Sequence, residues 1–118
     1  MIMTERLPKN SCDTHLHVFG DATKYPTANP NALYQPPQDC TFEAMKALHD
    51  GMGIDRAVFV QPTIYGTDHR LLHDVLKSAP KEKYRGVTIV DDTVSDIELE
   101  RLNSVGVRGA RFNFGGRF

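Results

Sequence analysis

The sequence predicts an α/β fold in which the strands of a parallel sheet alternate with helices, and three observations carry that prediction. Four short segments, 11–19, 56–61, 85–90 and 107–113, are rich in Val, Ile and Phe or alternate as strands do. Between them lie helical segments with apolar residues at three- and four-residue spacing, each with its own start and stop signals. The order strand, helix, strand, helix, strand, helix, strand is the one that right-handed βαβ crossovers close into a parallel sheet.

The first strand carries C-D-T-H-L-H-V-F, Cys12 to Phe19. Regular alternation puts Asp13, His15 and His17 on one face and Cys12, Thr14, Leu16 and Val18 on the other. A long connection, 20–40, follows, with Pro26, Pro30, Pro36 and Pro37 and no usable periodicity. Loops of that length in a compact domain are commonly functional, and Tyr25 and Tyr34 point to a folded lid. Thr41 caps the first helix, whose Phe42, Met45, Leu48 and Met52 share a face and whose stop is Gly51 or Gly53. After the second strand, R-A-V-F-V-Q, a turn built by Pro62 and Gly66 leads to a second helix, with Asp68 as its cap. Leu71, Leu72, Val75, Leu76 and Ala79 form its apolar face, and Pro80 ends it. Ser95 and Glu98 form a capping box for the third helix, which buries Leu99, Leu102 and Val105 and stops at Gly106. The segments G-I-D-R-A-V-F from Gly53 and G-V-R-G-A-R-F from Gly106 echo one another, as a repeated αβ unit would.

At 118 residues the chain is sized for one domain, 1–118, with a real core. Hydrophobic residues make up 40% and charged residues 25%, as in globular proteins. A formal net charge of −1 gives no reason to expect nucleic acid or an anionic membrane as partner. The apolar runs are too short for a membrane helix, and M-I-M-T-E-R-L-P-K lacks the apolar core of a signal peptide, so a cytoplasmic protein is expected. Cys12 and Cys40 read as reduced, small apolar residues.

Two imidazoles at i and i+2 on a strand converge on one point, as two ligands of a metal ion or a polarised water must; the alternative is a strand with two satisfied polar residues. Their place at the C-terminal end of a parallel strand, where α/β sites gather, favours the functional reading of His15 and His17. Gln61, Thr63 and Tyr65 follow the second strand as uncharged donors and acceptors for a polar ligand. His69 and His73, four apart on the second helix, permit a metal pair but, with no third ligand nearby, read rather as an exposed helix face. In R-G-A-R-F-N-F-G-G-R, Arg108 reads as structural, while Arg111 points inward and Arg117 follows a Gly-Gly hinge. Arginine suits planar, bidentate recognition of carboxylate.

D-T-H-L-H-V-F-G, Q-P-T-I-Y-G-T-D and R-F-N-F-G-G-R together resemble the first, second and fourth strand-end motifs of the amidohydrolase superfamily. The likeness is to its branch of metal-dependent TIM-barrel hydrolases, and within that to the 2-pyrone-4,6-dicarboxylate and sugar-acid lactone hydrolases. The resemblance implies the N-terminal half of a (β/α)8 TIM barrel and hydrolysis of a carboxylated cyclic ester, a lactone or a pyrone. It implies a catalytic role for His15 and His17, which are also the metal ligands if a divalent ion such as zinc is bound; the pyrone hydrolases work without one. Arg111 and Arg117 match arginines that hold substrate carboxylate, and Thr63 and Tyr34 lie near polar substrate contacts.

A full barrel of this kind takes eight strands in about 250 residues, whereas this sequence reaches Phe118 just after its fourth strand. The family's later histidine and its strand-eight aspartate have no counterpart, and nothing promotes Asp91 or Asp92 to that task. An isolated chain is therefore expected to lack the hydrolytic base. Its open sheet edges call for a second half, as a homodimer or a C-terminal half-barrel. The alternative expectation is a non-catalytic fragment that binds a carboxylated ligand or pairs with such a half.

Overall fold

A computed structural model describes residues 5–32 and 34–114. The strands are β1 (Cys12–Leu16), β2 (Arg56–Val60), β3 (Tyr84–Ile89) and β4 (Val107–Arg111). The helices between them are α1 (Phe42–Met52), α2 (Arg70–Ser78) and α3 (Asp96–Val105), with a 3₁₀ turn at Thr63–Tyr65. All strand pairs are parallel and the sheet order is β1-β2-β3-β4, the architecture of the N-terminal half of a (β/α)8 barrel.

Local chemistry sets the helix ends. The Thr41 side chain accepts from the Ala44 N–H and that of Ser95 from the Glu98 N–H, each occupying a donor that a helix start leaves free. Gly53 and Gly106 end α1 and α3 at φ 81° and 110°, a left-handed conformation that costs glycine least, and each leads into a strand. The two echoed segments thus share a structural cause. Asp68 is not the cap of α2: His69 holds that position, while Asp68 Oδ1 accepts from the Arg70 N–H at 3.1 Å.

The helices cover one face of the sheet. Ala57 and Phe59 of β2 and Tyr84 of β3 pack there against Leu72, Leu76, Leu102 and Val105, with Phe42 and Met45 of α1 closing the layer. Phe59 is 1% exposed and its ring lies 5.4 Å from that of Tyr84. A second cluster joins Tyr25 of the 20–40 connection to Ile64, Tyr65 and Leu71. The Tyr25 hydroxyl donates to Asp74 Oδ2 at 2.6 Å, and the Phe19 N–H donates to the Cys40 carbonyl at 2.8 Å, joining the two ends of that connection. Tyr25 is buried as expected of a folded lid, whereas Tyr34 is exposed.

Both edge strands depart from regular alternation. In β1, Asp13 pairs with Ala57 but Leu16 with Phe59, so β1 spends three residues where β2 spends two. In β4, Val107 pairs with Gly86 but Gly109 with Val87, so Arg108 is the extra residue. One extra residue is a β-bulge, and it exchanges the faces of everything beyond it. Asp13 and Leu16 therefore both face the helices, and Asp13 does not share a face with His15 and His17 as strict alternation requires.

Candidate functional site

The bulge in β1 decides where the histidines point. Without it, Asp13, His15 and His17 would all follow Ala57 and Phe59 into the helix layer. With it, Leu16 and Val18 enter that layer, and His15 and His17 turn to the opposite, open face. The bulge in β4 does the same for Arg111: Val107 faces the helices, and beyond Arg108 the phase inverts, so that Arg111, paired with Ile89, lies on the open face.

The two residues converge from opposite edges of the sheet. His17 Nδ1 lies 2.7 Å from the Val60 carbonyl oxygen, and Arg111 Nη1 donates to the neighbouring Gln61 carbonyl at 3.3 Å. A carbonyl oxygen can only accept, so Nδ1 carries a hydrogen, and in the neutral ring Nε2 keeps its lone pair. The His15 ring lies edge-on to that of His17, with centroids 5.3 Å apart. An imidazole with a free nitrogen and a guanidinium thus share the C-terminal end of β2.

A divalent ion fits this arrangement in part. The carbonyl bond that fixes the His17 tautomer is the outer support metal-bound histidines normally have, and Nε2 is left as a ligand. Among the described residues, however, no group of three His, Cys, Asp or Glu side chains could hold an ion.

Gln61, 2% exposed, contributes the carbonyl that receives Arg111, next to the Val60 carbonyl that receives His17. Its Oε1 accepts from the Thr88 hydroxyl at 2.8 Å and the Ile89 N–H at 2.9 Å, and its Nε2 donates to the carbonyls of Gly66 and Asp68 at 2.7 and 3.0 Å. Gln61 is therefore fully engaged within the chain and braces the loop after β2. Tyr65 is also buried, its hydroxyl accepting from the Gly20 N–H at 3.2 Å, and burial pushes the phenol upward from its ordinary pKa. Thr63 opens the 3₁₀ turn and is half-buried, and Tyr34 stands in solvent. Arg117 falls outside the described residues.

Sequence reasoning missed two histidine pairs. His69 is buried, not on an exposed helix face: Nε2 meets the Ile89 carbonyl at 2.7 Å and Nδ1 meets Glu98 Oε1 at 2.9 Å. Arg101 and His69 together hold the Glu98 carboxyl down at a pKa of about 2. His49, read only as part of α1, is 5% exposed, with Nε2 3.0 Å from Asp13 Oδ2. Its signal was a single polar residue beside the apolar positions Met45, Leu48 and Met52. Both cysteines are free, but Cys40 is exposed and not the buried apolar residue expected.

Comparison with known proteins bears on the family and the fold. The amidohydrolase family model matches residues 12–117. The chain is 43% identical over 109 residues to a 2-pyrone-4,6-dicarboxylate hydrolase of Comamonas testosteroni, covering 92% of this chain and 35% of that protein. It is 36% identical over 108 residues to a 4-sulfomuconolactone hydrolase of Rhizobium radiobacter, with the same coverage. Among solved structures, a probable 2-pyrone-4,6-dicarboxylic acid hydrolase from Acinetobacter baumannii with citric acid bound superposes with a TM-score of 0.79 at 28% identity, covering 92% of this chain and 39% of that one. A similar protein from Pseudomonas putida gives 0.73 at 30%, covering 89% and 37%. The chain thus spans about a third of the length of the curated relatives it matches. On the family match and these relatives, the chain belongs to the amidohydrolase family.

Proposed function

We propose that the chain supplies the histidine and arginine side of the active site of a hydrolase for a carboxylated cyclic ester, a lactone or pyrone dicarboxylate. The observation that carries this reading is the meeting of His17 and Arg111 at adjacent carbonyls of β2, reached from opposite edges through two bulges. Arg111, with Arg117, clamps the substrate carboxylates, and Thr63 and Tyr34 are further contacts from the same rim. His15 and His17 polarise the scissile carbonyl through a ring N–H, stabilising the oxyanion that forms when water adds to it; for His17, whose Nδ1–H is committed to Val60, that donor is the Nε2–H of the imidazolium. Should a divalent ion such as zinc bind, His15 and His17 would hold it, and it would add Lewis-acid polarisation. The base that takes the proton from water comes from a strand that completes the barrel, in a complementary half or a second copy.

Titration with 2-pyrone-4,6-dicarboxylate and with an aldonolactone tests the clamp, and hydrolysis of both tests the chemistry. Saturable binding of the dicarboxylate that Arg111→Ala weakens at least tenfold supports the reading, and turnover lost in His17→Ala supports the catalytic role. Dicarboxylate binding that is indifferent to Arg111→Ala defeats it.

A second reading, a binding module that pairs with another half, draws on the two outer strands: among the described residues β1 and β4 each have one neighbour in the sheet, so each presents an open backbone edge there. Size-exclusion chromatography separates the two. A dimer, or a complex with a complementary half, that binds dicarboxylate without turning it over favours the module.

A further inference from the structure

We propose that Asp13 and His49 are positioning residues that hold the β1 bulge in the phase that aims His15 and His17 at the open face. The inference rests on the role given to the two histidines above and adds the device that sets their direction.

The β1 bulge must be locked, because a one-residue slip would return both histidines to the helix layer. Asp13 sits at the last regular pairing before the bulge, opposite Ala57, and its two oxygens face two ways. Oδ1 accepts from the His15 N–H at 3.3 Å, across the extra residue. Oδ2 meets His49 Nε2 at 3.0 Å, anchoring the strand to α1. The His49 side chain is 7% exposed and that of Asp13 32%, so the anchor lies on the sheltered side of the sheet.

Stability alone does not account for this pair. Leu16, Met45 and Leu48 surround the same groove between β1 and α1, and two apolar side chains there would avoid the desolvation a carboxylate and an imidazole incur. Two apolar side chains would not, however, offer an acceptor to the His15 N–H. The carboxylate is the group that can serve the bulge and the helix at once, and His49 fixes its orientation.

The test is nitrogen-15 NMR of the chain without substrate, reading amide hydrogen exchange and the ring nitrogens of His15 and His17. In Asp13→Ala, exchange at the His15 amide speeds at least tenfold and His17 loses its Nδ1–H signature, while the amides of Leu76 and Ile89 keep their rates. His49→Phe, which retains packing volume, moves the same signals in the same direction and serves if Asp13→Ala does not fold. Asp13→Asn, which keeps an acceptor for His15 and a polar partner for His49, restores the parent spectrum. Unchanged His15 exchange and His17 ring signals in both disrupting variants would overturn the proposal. So would equal loss of protection at Leu76 and Ile89, or failure of both variants to fold, since either marks a merely structural pair. The readouts involve neither ligand nor turnover, so their failure leaves the dicarboxylate test standing, and failure of that test leaves the bulge lock intact.

Discussion

The central strands β2 and β3 pair in unbroken register from Ala57–Tyr84 to Val60–Val87, whereas the outer strands β1 and β4 each carry one extra residue. The difference divides labour. The central pair supplies most of the strand residues in the helix-side core and the carbonyls that act as anchor points. The outer pair supplies the side chains of the proposed site, His15, His17 and Arg111, each turned to the open face by its bulge. Core and site thus use the same sheet with opposite tolerance for irregularity.

The largest expected effect tests the central half. Phe59→Ala removes a 1% exposed ring packed against Phe42 and Tyr84, and should cost about 3–5 kcal/mol in urea unfolding, enough to threaten the fold. Gln61→Leu strips partners from the Thr88 hydroxyl, the Ile89 N–H and two loop carbonyls. A loss of about 2–3 kcal/mol is expected, together with disturbance of the carbonyls that receive His17 and Arg111. A smaller cost there would show that the loop after β2 rests on other contacts.

Glu98 gives a pH-dependent version of the same comparison. Its folded pKa of about 2 lies below the ordinary 4.5, so the stabilisation is complete above about pH 4.5 and is lost as pH falls toward 2. After allowance for the partial exposure of the pair, the contribution is on the order of 1 kcal/mol. Glu98→Gln should lower the melting temperature at pH 7 and flatten its decline between pH 4.5 and 2. The smallest effect belongs to the outer half. Arg111→Ala should change stability by less than about 1 kcal/mol, because its bond to the Gln61 carbonyl is long, while dicarboxylate binding falls. A large loss of stability would erase the division between core and site.

Order and type of the elements, and the ends of α1 and α3, were legible because they are local, whereas Asp68 was misread as the cap of α2. Thr41, Ser95, Gly53 and Gly106 act on neighbours within four residues, and each does what its position implies. The face of the site was legible only by assuming perfect alternation. A bulge is set by the partner strand, and D-T-H-L-H reads the same with or without one. The same distance in sequence hid His69, whose ion-pair partner Glu98 lies 29 residues away, and His49, whose partner lies 36 away. A polar residue four from another on a helix looks solvated until its distant partner is known. That His15, His17 and Arg111 belong to one site was an expectation from strand-end position and family resemblance, whereas the anchors of His17 and Arg111, the carbonyls of Val60 and Gln61, carry no side-chain signal at all.

The placement of the two bulges bears on how such a site changes over generations. A residue gained or lost in β2 or β3 would shift register against two neighbours and dislodge the core, whereas the same event in β1 or β4 disturbs one neighbour only. An insertion or deletion, usually among the most damaging of mutations inside a sheet, would in β1 or β4 swap which side chains face the open side. One such event would exchange the whole outward set of a strand's side chains, where point substitution would need several.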